Sequence, residues 1–136
     1  MNNTRFATAL HILTLLADSE GDWLSSDWIA RSINVNPVIV RKELSVLIEA
    51  GFVQSRKGKV GGYAMLINGA NITLDQIYLT VKNTEVLGKK NLNPSPKCPI
   101  GKDINQILDG LFSEIDHAVV DELRGKTLEN FVAAFH

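Results

Sequence analysis

The sequence predicts a mainly α-helical chain with one small β-hairpin and a long C-terminal helix. Three observations predict it. Apolar residues recur at helical spacing in three successive segments before residue 51. The period then changes around a basic stretch holding three glycines, flanked by two short β-type runs. Beyond a proline-rich break, an apolar stripe at three-to-four spacing runs for about six turns.

Taken in order, Phe6, Leu10, Leu13, Leu16 and Ala17 predict an amphipathic helix over about 4–18. Ile12 and Leu15 widen its apolar face, as in a helix buried on two sides. Residues 18–22 form a polar break, after which Ser25 or Ser26 caps a short helix to about Ser32. Trp28, Ile29 and Ile33 are expected to turn inward from it. Asn36 is a natural N-cap and Pro37 suits a first helical position, so a third helix begins there. It runs to Ala50 on an apolar side of Val40, Leu44, Leu47 and Ile48, and Gly51 stops it. Residues 52–55 and 63–67 read as paired strands around the loop Arg56-Lys-Gly-Lys-Val-Gly-Gly62. Thr73 or Asn71 caps a fourth helix at about 74–82. Residues 83–101, with three prolines in six residues, read as a loop. The long helix is expected over about 102–123, ended by Gly125, and Thr127 starts a last short helix.

Three helices followed by a hairpin is the order of a winged helix-turn-helix, with the hairpin as wing. The predicted organisation is therefore a winged helix-turn-helix domain at 1–82, a linker at 83–101, and a dimerisation helix with a C-terminal helix at 102–136.

A length of 136 residues suits one domain, and 45% apolar against 21% charged residues excludes a wholly disordered chain. No apolar run reaches the length of a membrane span, and the N-terminus lacks a signal-peptide pattern, so a cytoplasmic protein is expected. The net charge of −1 is unevenly spread. Residues 31–63 carry Arg31, Arg41, Lys42, Arg56, Lys57 and Lys59 against Glu43 and Glu49, whereas residues 101–136 carry seven acids against three bases. The central basic block suggests a local anionic partner, with a merely solvated face as the alternative.

A helix fits the DNA major groove, and a glycine-rich basic wing can grip phosphates or enter the minor groove. The candidate contacts to double-stranded DNA are Asn36, Val38, Arg41 and Lys42 on the third helix. On the wing they are Arg56, Lys57, Lys59, Gly61, Gly62 and Tyr63. The rival readings are a winged helix that docks proteins without binding DNA, and a regulator controlled by a partner protein. The stripe of Ile104, Ile107, Leu108, Leu111, Phe112, Ile115 and Val119 suits pairing with a second copy, or folding back onto its own domain. Catalysis is not expected. Gly58–Gly62 lacks the Lys-Ser/Thr ending of a phosphate-binding loop, and no serine or cysteine has an evident base. His11 reads as a partly buried structural residue and His117 as exposed; no histidines share metal-ligand spacing with an acid. Trp23 and Trp28 read as packing residues. No membrane, metal or cofactor is expected, and no effector is named by the sequence.

These residues resemble the Rrf2 family of bacterial regulators over almost the whole chain. The resemblance rests on Arg5-Phe-Ala-Thr-Ala-Leu-His-Ile-Leu13, Ile29-Ala30 and Ala50-Gly-Phe-Val-Gln-Ser55. Its most specific part is Ser55-Arg-Lys-Gly-Lys-Val-Gly-Gly-Tyr63, similar to the family's wing signature, and Ile72-Thr-Leu-Asp-Gln-Ile77 resembles the start of the next helix. It implies a dimeric winged-helix transcription regulator, usually a repressor, with the long helix crossing to the partner. Members that bind an iron–sulfur cluster carry three cysteines before that helix. Here Cys98 stands alone, and one thiolate does not hold a cluster. Lys57 replaces the usual wing arginine, and Ile39-Val40-Arg41 replaces the common Tyr-Leu-Glu. Asn36–Arg41 and Asn93–Lys102 resemble the YwnA-like branch, which lacks the cluster.

Cys98 is the candidate redox switch. With Pro99 at the first helical position it becomes the N-cap of the long helix; a start at Lys102 is the alternative. Either way the thiol lies near a positive helix end and beside Lys97, which favours the thiolate. A small packing cysteine is the competing reading.

Overall fold

A computed structural model describes residues 4–19, 21–83 and 85–136. Glu20 of the polar break and Thr84 of the linker lie outside the described residues, as does the N-terminal Met1–Asn3. The elements run α1 (Arg5–Asp18), α2 (Ser26–Ile33), α3 (Pro37–Glu49), β1 (Val53–Arg56), β2 (Gly62–Met65), α4 (Leu74–Val81), α5 (Pro99–Arg124) and α6 (Leu128–Ala133).

Helix α1 is the centre of the fold, packed against α2, α3, α4, α6 and β2. Its two-sided apolar surface makes this possible: Ala9, Ile12, Leu13 and Leu16 are all buried. Around them lie Ile29, Val40, Leu44, Leu47, Ile72, Ile77 and Leu128. His11 corrects one expectation, because it is exposed on α1 rather than partly buried.

Local rules set the turn between α2 and α3. Asn34 closes α2 in the left-handed region at φ 64°, a conformation asparagine tolerates. The Asn36 side chain accepts from the Val38 N–H at 2.8 Å, and Pro37 follows at the first helical position. Gly51 has φ 87° just past α3.

Strands β1 and β2 pair antiparallel, with Val53 opposite Met65 and Arg56 opposite Gly62. The hairpin begins and ends slightly off the predicted runs, and Leu24 adds a further rung beside β2. Leu24 and Tyr63 exchange backbone hydrogen bonds of 3.0 and 2.8 Å. Gly62 is required there: it sits at φ 143°, and a Cβ would lie 2.6 Å from the Leu24 carbonyl oxygen.

Beyond α4 the chain packs along α5 before it returns to the first core. Residues 85–98 are irregular but fastened along α5. Asp116 accepts from the Val86 N–H at 3.0 Å and from Lys82 Nζ at 3.4 Å, Lys90 pairs with Asp109, and Asn105 donates to the Asn91 carbonyl at 2.8 Å. Helix α5 starts at Pro99, three residues before the expected Lys102, with Cys98 as its N-cap. Its 26 residues span about 39 Å. After it the chain returns to the N-terminal core. The Leu74 N–H bonds to the Lys126 carbonyl at 2.8 Å, the Leu128 N–H to the Ile72 carbonyl at 2.9 Å, and Leu128 is fully buried.

Candidate nucleic-acid interface

Helix α3 divides cleanly into two faces. Val40, Glu43, Leu44 and Leu47 are buried, and Val38, Ile39, Arg41, Lys42 and Ser45 point to solvent. Val38 and Ile39 remain 61% and 50% exposed, which is unusual for β-branched apolar side chains at a helix start. No ion pair engages Lys42 among the described residues, and Arg41 lies 3.8 Å from Asp27 at the start of α2. Such a surface, with methyl groups flanked by cations, can meet base edges and phosphates together.

Glu43 was not singled out by sequence reasoning, and it governs how α3 is held. Only 4% of its side chain is exposed, and Arg5 at the start of α1 grips it with three hydrogen bonds of 2.9–3.2 Å. The hydrogen bonds to Glu43 raise the guanidinium pKa above its usual value, against the opposing effect of burial. One signal was available: Glu43 falls one turn after Val40 on the buried stripe.

The wing packs against α3 through β1. Its loop is closed by the Gly61 N–H bonding to the Gly58 carbonyl at 3.0 Å. Gly61 could not be another residue, since a Cβ would lie 2.1 Å from the Arg56 carbonyl oxygen. Arg56 is engaged within the protein. It donates to the Val60 carbonyl at 2.5 Å and stacks over the Trp23 ring at 4.2 Å. Lys57 and Lys59 are exposed, with no ion pair among the described residues. Tyr63 is half-buried against the core, and its backbone exchanges hydrogen bonds with Leu24.

The tryptophans differ: Trp23 is half-buried and packs against Arg56 of the wing, whereas Trp28 lies outside the core. Trp28 is 44% exposed, contrary to its expected inward turn, because Ile29 and Ala30 take the buried positions of α2. With Ser25, Lys59 and Gly61 it lines an open cleft of about 650 Å³ between α2 and the wing.

Helix α5 buries none of its residues within this chain. Ile107 and Leu111 are 69% and 47% exposed, while Ile104, Leu108, Phe112, Ile115 and Val119 are half-buried. Cys98 is exposed, and the backbone N–H groups of Gly101 and Ile100 draw its thiol below the ordinary pKa.

The Rrf2 family profile, described as iron-dependent transcriptional regulator, matches residues 2–134. The chain is 41% identical over 130 residues to YwnA of Bacillus subtilis (strain 168), described as an HTH-type transcriptional regulator; this covers 96% of each protein. A crystal structure assigned as a DNA-binding protein aligns with a TM-score of 0.74 at 37% identity, over 93% of this chain and 97% of that one. The fold also matches CymR, the global cysteine regulator of B. subtilis, with a TM-score of 0.71 at 24% identity, over 98% and 97% of the two chains. The residues present do not fit the family's iron. Cys98 is the single thiol, and among the described residues no three His, Cys, Asp or Glu side chains gather as metal ligands. No described helix is long and apolar enough to cross a membrane. Matched along nearly its whole length, this mainly α, winged-helix chain belongs to the Rrf2 family of transcriptional regulators, proteins that act as regulators and not as enzymes.

Proposed function

We propose that the chain is a homodimeric, DNA-binding repressor whose α3 enters the major groove while Lys57 and Lys59 of the wing contact phosphates. The observation that carries this reading is the solvent face of α3, with Val38, Ile39, Arg41 and Lys42, beside a wing whose two lysines have no ion pair among the described residues. The decisive experiment measures affinity for a footprinted operator across a salt series. Removing one cation from a phosphate lowers the slope of log K against log salt by roughly 1. The Lys57→Ala/Lys59→Ala double variant should bind all sequences more weakly and with a shallower slope. Unchanged affinity and slope would refute the wing assignment and favour a protein-docking or partner-controlled winged helix. As a repressor, the protein should leave footprints that overlap promoters, and its loss should raise transcription from them.

The homodimer reading rests on α5, which carries a long apolar stripe and buries no residue in its own chain. Two half-sites read by two copies also supply the affinity that one small reading head lacks. Leu111→Glu should give a folded monomer in sedimentation with poor operator binding. A redox response is the last part of the reading, favoured by the exposed Cys98 thiol with its lowered pKa at the head of α5. Diamide should weaken operator binding of the wild type and leave Cys98→Ser unaffected. Equal responses in the two would remove Cys98 as the switch. Acting on DNA, the protein would work in the cytoplasm.

A further inference from the structure

At the root of the wing, on the side of α1 and α6, lies a cleft of about 460 Å³. That volume falls within the range of small-molecule sites. Its apolar wall includes Leu16, Met65 and Val132, and its polar groups include Trp23, Gln54, Asn68 and Glu129. All but one of the polar groups are neutral. Gln54 donates one amide N–H to the Met65 carbonyl at 3.1 Å, and its carbonyl oxygen can accept. Asn68 spends its oxygen on the Ala70 N–H at 2.8 Å, so its amide nitrogen and the Trp23 indole N–H are neutral donors. Glu129 is the one charged side chain among the described residues lining the cleft, and no ion pair engages it there. An apolar wall with one uncompensated carboxylate selects a positively charged group on an apolar body.

Trp23 links this cleft to the wing. Its ring also lines the cleft between α2 and the wing, and there it carries the stacked Arg56 guanidinium. Trp23 therefore lines both spaces. An occupant packed on Trp23 restricts the ring, and through it the arginine that closes the wing loop onto Val60.

We propose that the cleft at the wing root binds a small amphipathic cation, an amine carried on an aromatic or aliphatic body, and that its occupancy steadies the wing through the Trp23–Arg56 stack. The site itself is independent of DNA, and only its regulatory meaning rests on the function proposed above.

The test uses the full-length protein in a Trp28→Phe background, where Trp23 is the sole indole. Phenethylamine is the probe, with 2-phenylethanol and phenylacetate as the neutral and anionic controls. Trp23 fluorescence should saturate with phenethylamine in the millimolar range or below, and at least three-fold higher concentrations of either control should be needed. Glu129→Gln should weaken phenethylamine at least three-fold and leave 2-phenylethanol unchanged. Saturating phenethylamine should also slow tryptic cleavage after Lys57 and Lys59 at least three-fold relative to cleavage elsewhere in the chain. No saturable signal would overturn the site. Equal binding of the three probes, or indifference to Glu129→Gln, would overturn the cationic class. Saturation with unchanged wing cleavage would overturn the coupling. None of these readouts involves DNA, so they hold or fail independently of the DNA-binding reading.

Discussion

Removing Arg5 isolates the contact that seats α3 against α1. In Arg5→Met the apolar stem is kept, but the buried Glu43 carboxylate is deprived of three hydrogen bonds of 2.9–3.2 Å. Breaking one side of a fully buried pair costs roughly 3–5 kcal/mol. Because 30% of the Arg5 side chain remains exposed, solvent screening discounts this to about 3 kcal/mol. For a chain of this length, that free energy lowers Tm by about 10 °C. Glu43→Met should cost less, on the order of 1 kcal/mol, since the partly exposed guanidinium can turn to water. The double variant removes the stranded charge and should recover most of the Arg5→Met loss. Thermal and urea unfolding of the four proteins measure this cycle. A double variant destabilised by the sum of the two single losses would mean that the ion pair contributes nothing and that Arg5 acts only through its other contacts.

Gly62→Ala should cost about 1–3 kcal/mol and speed tryptic cleavage of the wing, because its Cβ meets the Leu24 backbone as well as a strained φ. Gly58→Ala also has positive φ but open space around its Cβ, so a smaller loss there checks the steric argument. Leu128→Ala should destabilise by about 3 kcal/mol in urea unfolding, as expected for a core leucine and not for a peripheral tail. The lowered pKa of Cys98 predicts that its alkylation rate reaches half-maximum at lower pH in the folded protein than in urea; coincident midpoints would contradict it.

Local chemistry was the most legible part of the sequence. Asn36-Pro37, Gly51 and Pro99 announce helix boundaries through backbone requirements that distant contacts do not alter. The outward placement of Arg41 and Lys42 followed from helical periodicity, and that of Lys57 and Lys59 from the glycine-rich hairpin loop. Side chains whose fate depends on tertiary neighbours were less legible. Trp28 looked apolar and therefore internal, but Ile29 and Ala30 already fill the buried side of α2. Arg56 looked like another free cation until the fold brought Trp23 beneath it. Arg5 and Glu43 meet across 38 positions of sequence, beyond any local pattern. Periodicity likewise showed that α5 and α6 have apolar stripes, but did not show that α6 returns to the first core while α5 leaves Ile107 and Leu111 exposed.

That return has a consequence for synthesis. Ile72, Ile77 and the apolar side of α1 emerge early, yet Leu128, which completes their packing, is translated only after the whole of α5. A chain interrupted within α5 would carry an adhesive helix on an unfinished core and be open to proteolysis. A chain that has passed Leu128 can close the core. Only copies that reach α6 therefore complete the packing around α1.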